Sequence, residues 1–162
     1  MHQRPAHVLT TAVSKASAMV LGCALMTFPA SAAEVESTLE AWAADPARIF
    51  TAEEVDIDAL EWVARPVVVF ANSPRDPAFI EQMEEIVKEM DRLVERDVIV
   101  VVDTDRDSGS DLRTRLRPRS FMLVLIGKDG EVKLRKPLPW TVRELSRSID
   151  KMPMRRRELR EE

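Results

Sequence analysis

Cysteine and histidine are nearly missing from this chain, which has one cysteine and two histidines in 162 residues. All three, His2, His7 and Cys23, lie within the first 32 residues. The remainder has no thiol nucleophile, no imidazole base at neutral pH and no thiolate or imidazole metal ligand. For residues 33–162 we therefore predict no catalytic residue, no cofactor, no metal site and no disulfide.

Residues 1–32 have the features of a secretory signal peptide in the usual order. Arg4 and Lys15 come first, with no acidic residue before Glu34, and an apolar run at 18–29 leads to the small residues 30–32. We expect cleavage near Ala32 and a periplasmic or secreted mature protein.

Two other interpretations of this leader remain open. The apolar run falls short of the roughly 20 residues that a membrane span needs, so we expect no transmembrane segment in the mature form. Because residues 20–23 loosely resemble a lipobox, a lipoprotein acylated at Cys23 is the less favoured alternative.

Glycine is also scarce, and acidic residues outnumber basic ones. Four glycines in the whole chain do not form a glycine-rich phosphate loop. Without the leader, 22 basic residues face 28 acidic ones. Since nucleic-acid binders usually carry the opposite balance, we predict no nucleic-acid partner.

The chain after the leader is long enough for one domain with its own core. Residues 33–64 are rich in alanine and acids and are predicted to be an approach segment that packs loosely on the domain, with Ser37 capping a short helix. Residues 67–70 and 98–102 are apolar runs typical of strands buried on both faces.

A long helix is predicted between these two strands. Asp76 and Pro77 provide its N-cap and first position. Eight apolar residues then follow helical spacing over about five turns and are predicted to face the sheet: Phe79, Ile80, Met83, Ile86, Val87, Met90, Leu93 and Val94. Strand, helix and strand would form a right-handed parallel crossover.

The second half of the domain is predicted to end in a hairpin and a helix. After a short helix, a strand at 121–126 leads through an Asp-Gly turn at 127–130 into an antiparallel strand at 131–134. Thr141 and Glu144 have capping-box spacing, and Pro153 would stop the last helix. Residues 154–162 would be a charged C-terminal tail.

This order of elements resembles the thioredoxin-like fold, an α/β fold, here with a mixed four-stranded sheet flanked by helices over residues 65–153. In the loop after the first strand, Arg75 and Ala78 stand where a redox thioredoxin carries its two cysteines. Disulfide exchange at this site is therefore not expected. Pro118 is the nearby candidate for the cis-proline of that fold, but it lies two or three residues too early.

Three sequence segments resemble the DUF4174 family. They are Arg65-Pro66-Val67-Val68-Val69-Phe70-Ala71, residues 125–135 with Gly127-Lys128-Asp129-Gly130, and Met152-Pro153-Met154-Arg155-Arg156-Arg157-Glu158. The resemblance implies a small exported bacterial protein, related to domains of animal extracellular-matrix proteins. It also implies a thioredoxin-like scaffold used for something other than thiol chemistry.

One candidate site is an aspartate series after the second central strand. Asp103, Asp105, Asp107 and Asp111 match positions 1, 3, 5 and 9 of a calcium loop. Two further requirements fail, because Ser108 and Thr114 replace the turn glycine and the closing glutamate. We favour a loop of Asx-turns. A carboxylate- or calcium-dependent enzyme at 103–111 is the alternative function.

The favoured hypothesis is a non-catalytic binding module of the cell envelope, with an unknown envelope protein or acidic component as partner. Arginines after the first strand and before the third strand would form an anion site, although Asp76 competes for the helix donors there. The tail could contribute, although Glu158, Glu161 and Glu162 dilute its charge. The predicted binding residues are Arg75, Arg113, Arg117, Arg119, Arg155, Arg156 and Arg157.

Overall fold

The protein is described by a computed structural model over residues 38–161. The leader, Cys23 and the proposed cap Ser37 lie outside the described residues. Helix α1 covers residues 38–44 of this range. The strands are β1 Ile49–Thr51, β2 Arg65–Phe70, β3 Val98–Asp103, β4 Met122–Ile126 and β5 Val132–Lys136. The other helices are α2 Pro77–Lys88, α3 Met90–Val94, α4 Asp111–Leu116, α5 Val142–Asp150 and α6 Pro153–Glu161.

The five strands form one mixed sheet in the order β1-β3-β2-β4-β5. β1 and β2 run parallel to β3, whereas β4 is antiparallel to both β2 and β5. The predicted parallel pairing of β2 with β3 and the predicted hairpin are confirmed, and this is a thioredoxin-like arrangement. The predicted four-stranded sheet is wrong, because β1 adds an edge strand beside β3.

Strand β1 arises from the segment that was expected to pack only loosely. Phe50 is fully buried, and Val55, Ile57 and Leu60 from the following 3-10 turns join it in the core. Three residues are too few to show the alternation by which a strand is recognised in a sequence.

Both faces of the sheet are covered, because successive side chains of a strand point to opposite sides. Val68 and Phe70 pack with Leu112 of α4 and with residues of α1. Val67 and Val69 pack with α2, α3 and α5 on the other face. The continuous apolar runs of β2 and β3 are therefore explained by burial on both sides.

The long helix predicted after β2 is interrupted. α2 ends at Lys88, Glu89 leaves helical geometry (φ −122°, ψ 31°), and α3 begins at Met90. Ile80 and Val87, expected to face the sheet, are 44% and 61% exposed. That prediction is wrong for these two residues, because the buried side of α2 is narrower than its apolar stripe.

Gln82 takes a buried place on α2 instead. Its Nε2 donates to the Trp140 carbonyl at 3.0 Å, and its Oε1 accepts from the Trp140 amide at 2.8 Å. The buried amide is thus satisfied, and it ties α2 to the connection between β5 and α5.

The predicted helix starts are confirmed by side-chain caps. Asp76 accepts from the amide of Ala78 at 2.9 Å, and Thr141 accepts from the amide of Glu144 at 3.3 Å. Gly130 adopts φ +71° in the predicted Asp-Gly turn. Pro153 ends the preceding helix as expected, but it also begins α6, so the residues predicted as a tail form a helix. Within residues 38–161, no helix is both long and apolar enough to cross a bilayer.

Candidate binding site at the carboxyl edge of the sheet

Three loops meet at the edge of the sheet where β2 and β3 end. Phe70, the last residue of β2, pairs with Asp103 on one side and with Met122 on the other. The loops 71–76 and 104–110 therefore leave the sheet beside segment 117–121, which leads into β4. This is the place where the sequence predicted the arginine site.

Four arginines on these loops are exposed: Arg75, Arg106, Arg117 and Arg119. We call them the arginine edge. None of their guanidinium groups forms a salt bridge or hydrogen bond with any other residue of 38–161. Of this set, Arg106 was missed by the sequence analysis, although its place directly after a buried strand could have indicated it.

Arg113 differs from these four, because its side chain is turned inward beneath the loops. Its Nε donates to Asp103 Oδ1 at 2.8 Å, and its Nη2 donates to the carbonyl oxygen of Ala71 at 2.5 Å. Its guanidinium also lies over the Phe70 ring, 5.6 Å from the centroid. The expectation that Arg113 lines an open anion site is thus corrected, because its N–H groups already donate hydrogen bonds within the protein. Arg115, two residues further along the same helix, is paired with Asp58.

Asp103 is buried and engaged at both carboxylate oxygens. Besides the bond from Arg113, its Oδ2 accepts from Ser110 Oγ at 2.6 Å. Ser110 in turn caps α4 by accepting from the Arg113 amide at 3.1 Å. Asp103 therefore fixes the start of α4 beside the end of β2.

One other aspartate of this loop, Asp105, shows the predicted turn chemistry. Asp105 accepts from the amide of Asp107 at 2.9 Å, which is an Asx-turn. Residues 38–161 contain no group of three or more acidic, histidine or cysteine residues arranged to hold a metal ion. The alternative of a calcium- or carboxylate-dependent enzyme at 103–111 stays a prediction.

Arg117 ends α4 in the left-handed region, with φ +49° and ψ +56°. Its amide donates to the Arg113 carbonyl at 2.8 Å. Glycine is the usual residue in such a cap, because other L-residues pay about 1–2 kcal/mol there. Pro118 follows in the trans form, since residues 38–161 contain no cis peptide bond.

A second charged cluster lies at the opposite end of β2, and we call it the Glu158 network. Arg65 is 1% exposed, and its Nη2 donates to Glu158 Oε1 at 2.7 Å. Lys128 Nζ lies 3.1 Å from the same oxygen and 2.7 Å from Asp97 Oδ2. Arg155 Nη1 donates to Glu158 Oε2 at 3.2 Å.

The network changes how the C-terminal arginines are understood. Arg155 was predicted as a binding residue, but it is 7% exposed and is held against Glu158. That expectation is corrected, whereas Arg156 and Arg157 do face solvent. Glu158 was expected to dilute the positive charge of the tail, yet its carboxylate points into the protein.

Burial alone would raise the pKa of Glu158, but the hydrogen bonds from Arg65 and Lys128 outweigh it and lower the pKa from 4.5 to about 2. The carboxylate therefore remains ionised at neutral pH and compensates the buried arginine.

Comparison with known families supports the sequence resemblance. The model of DUF4174, a domain of unknown function, matches residues 56–158. This chain belongs to the DUF4174 family. The matched region of this DUF4174 protein includes the arginine edge and extends to Glu158.

Two solved structures are similar to the chain at low sequence identity. One is Plasmodium yoelii Prx1a modified at the N-terminus, which forms an artifactual octamer; identity is 17%, TM-score 0.49, and the match covers 67% of this chain and 85% of that chain. The other is Plasmodium yoelii thioredoxin peroxidase I, with 15% identity, TM-score 0.49, and 67% and 84% covered. Among curated proteins no match was found.

Proposed function

We propose that this DUF4174 protein is a non-catalytic, exported binding module of the cell envelope, and that its arginine edge receives an acidic segment of a partner protein. The observation that carries this proposal is the position of Arg75, Arg106, Arg117 and Arg119. They come from three separate loops, yet all lie at one edge and none is paired within residues 38–161. Arginine favours such a role, because its planar guanidinium can bind a carboxylate through two parallel hydrogen bonds.

The base of this edge is held by internal contacts. Arg113 bonds to the carbonyl oxygens of Ala71 and Asp103, at 2.5 and 3.1 Å, and so joins two of the three loops. Binding groups supported by such a second layer lose less conformational freedom when a ligand arrives. The buried pair thus acts as a positioning element for the exposed arginines.

The backbone of Arg117 gives further support. A glycine at this position would adopt the left-handed conformation without steric strain, whereas Arg117 adopts it at a cost in free energy. Strained residues concentrate at functional sites, where the side chain has a use that outweighs the strain. A role for the Arg117 guanidinium in binding would account for its presence.

The experiment is site-specific photocrosslinking in living cells of the source organism, with a photoreactive residue in place of the exposed Asn72. We compare the otherwise unchanged protein with a variant in which Arg75, Arg117 and Arg119 are replaced by alanine. A matched control replaces three exposed basic residues at and just after α5 that likewise have no side-chain partner in 38–161: Arg143, Arg147 and Lys151.

We expect a discrete crosslinked species that persists in the control and is lost in the edge variant. Equal crosslinking in both variants, or none from the unchanged protein, would refute the edge as the binding surface. The intact mass of the exported protein tests the remaining part of the proposal, which requires cleavage near Ala32.

A further inference from the structure

The outer face of α2 carries an apolar groove that nothing in residues 38–161 covers. Ile80, Met83 and Val87 have spacing i, i+3 and i+7, which places them along one side of the helix. Together with Phe79 they line an open groove of about 490 Å³. Ile80 and Val87 are among the exposed large hydrophobic residues of the protein.

The flank of this groove is acidic. Glu81, Glu84 and Asp91 are exposed, and their carboxylates have no salt bridge or hydrogen bond within residues 38–161. Lys88 is the one basic residue of α2 and offsets part of this negative charge. A ligand that fits this face therefore combines an apolar side chain with positive charge.

The outer face of α6 has the complementary composition. Arg156, Leu159 and Arg160 have spacing i, i+3 and i+4, so they share one side of the helix. Leu159 is 50% exposed, and neither arginine is paired within the described part of the chain. Because the Glu158 carboxylate is directed toward Arg65, it does not neutralise this face.

We propose that the α6 face of one molecule docks on the α2 face of a second copy of this chain. Leu159 would enter the apolar groove between Ile80 and Val87, and Arg156 and Arg160 would face Glu81 and Glu84. At a rise of 1.5 Å per residue, the two arginines are about 6 Å apart along α6 and the two glutamates about 4.5 Å apart along α2, so the charges match in spacing.

The two faces differ, so the contact is head-to-tail rather than a pairing of identical surfaces. It leads to assemblies whose mean mass rises with protein concentration. The patch is small, so association is weak and sensitive to salt. The arginine edge takes no part in it, and the inference therefore stands independently of the proposed function.

The assembly is tested by analytical sedimentation of the protein purified from the cells that produce it, compared with variants in which charged residues are reversed in sign. One variant carries Arg156→Glu with Arg160→Glu, so that both of its faces are acidic. The other carries Glu81→Arg with Glu84→Arg, so that both of its faces are basic. We expect each variant alone to remain monomeric at concentrations where the unchanged protein associates.

An equimolar mixture of the two variants gives the decisive result. The acidic α6 of the first variant now complements the basic α2 of the second, and the two remaining unmodified faces complement each other. We expect the mixture to associate again. Val87→Glu should abolish association, whereas reversal of Arg143 and Arg147 on α5 should not affect it.

A wild-type protein that stays monomeric at every concentration would overturn the inference. Failure of the mixed variants to associate would do the same, provided that their thermal unfolding shows both to be folded. If the α5 control also loses association, net charge alone would explain the behaviour of the charge-reversal variants. That result would likewise exclude the docking of α6 on α2.

Discussion

The two ends of β2 each hold a buried or nearly buried arginine, but they satisfy it in different ways. At the end of the strand, Arg113 is paired with Asp103, which is ten residues away and fully engaged. At the start, Arg65 is paired with Glu158, which is 93 residues away and keeps some contact with solvent. One pair holds local loops together, whereas the other attaches a distant helix to the central strand.

The difference separates two roles of arginine in one molecule. In the Glu158 network each cation lies within 4 Å of a carboxylate, so Arg65 and Arg155 stabilise the fold. Asp103 is paired with Arg113 alone, and the four guanidinium groups of the arginine edge have no partner among residues 38–161. An arginine-rich segment in a sequence therefore does not distinguish a binding surface from internal ion pairs. The distinction requires the partners of each guanidinium group.

The largest effect should come from the buried pair. Asp103→Ala leaves the Arg113 guanidinium without its carboxylate, and we expect the free energy of unfolding to fall by about 3–5 kcal/mol. Urea denaturation measures this loss. Asp105→Ala is the matched control, because it removes only a surface turn bond and should cost less than about 1 kcal/mol.

Replacement of both partners sharpens the same comparison. Asp103→Leu with Arg113→Met removes both charges, so most of the lost stability should return. A single Asp103→Ala variant no less stable than Asp105→Ala would show that the pair is not a structural requirement.

The Glu158 network should give a smaller and pH-dependent effect. The pKa of Glu158 in the folded protein is about 2, below its ordinary value of 4.5. Its stabilisation is therefore complete above pH 4.5 and disappears as the pH falls toward 2. Because Glu158 keeps some contact with water, we expect Glu158→Gln to cost about 1–2 kcal/mol at neutral pH.

Urea denaturation between pH 2 and pH 7 tests this dependence. The curves of the unchanged protein and the Glu158→Gln variant should converge at the acid end. Glu161→Gln, which alters an exposed carboxylate of the same helix, should run parallel to the unchanged protein. A constant difference between unchanged protein and Glu158→Gln over the whole range would contradict the assigned ion pairs.

The smallest effect concerns the strained residue of the arginine edge. Arg117→Gly relieves the positive φ and should raise the free energy of unfolding by about 0.5–1 kcal/mol while weakening the proposed binding. Arg119→Gly, where the backbone has no positive φ, should bring no such gain. Thermal unfolding measured beside crosslinking would separate stability from binding, and a destabilised Arg117→Gly variant would refute the strain argument.

Most of the central fold could be predicted from the sequence, because its signals are local. Each signal can be recognised within a few residues: the apolar runs of β2 and β3, the cap at Asp76 and the Asp-Gly turn. β1 could not be predicted, because its three residues form a strand by pairing with β3 and show no strand pattern in the sequence.

The edge of the sheet that carries the exposed arginines could be predicted, whereas the direction of each arginine side chain could not. The order of elements indicated the loop at Arg75, yet no spacing distinguishes Arg113, which turns inward, from Arg117, which faces solvent. That choice depends on where α4 begins and ends, and therefore on Ser110 and Asp103. Likewise, nothing near Arg65 in the sequence points to Glu158, because the two meet only through the tertiary fold.

The pairing of Arg65 with Glu158 also sets an order of events during synthesis. Arg65 begins the central strand, but its carboxylate is made 93 residues later. Before Glu158 is made, the guanidinium has the Arg96 carbonyl oxygen at 2.8 Å and the Asp97 carboxylate at 3.7 Å as partners, but it lacks the close ion pair at 2.7 Å. The start of the central strand therefore gains its closest carboxylate last, and folding should be completed only after α6 has emerged from the ribosome.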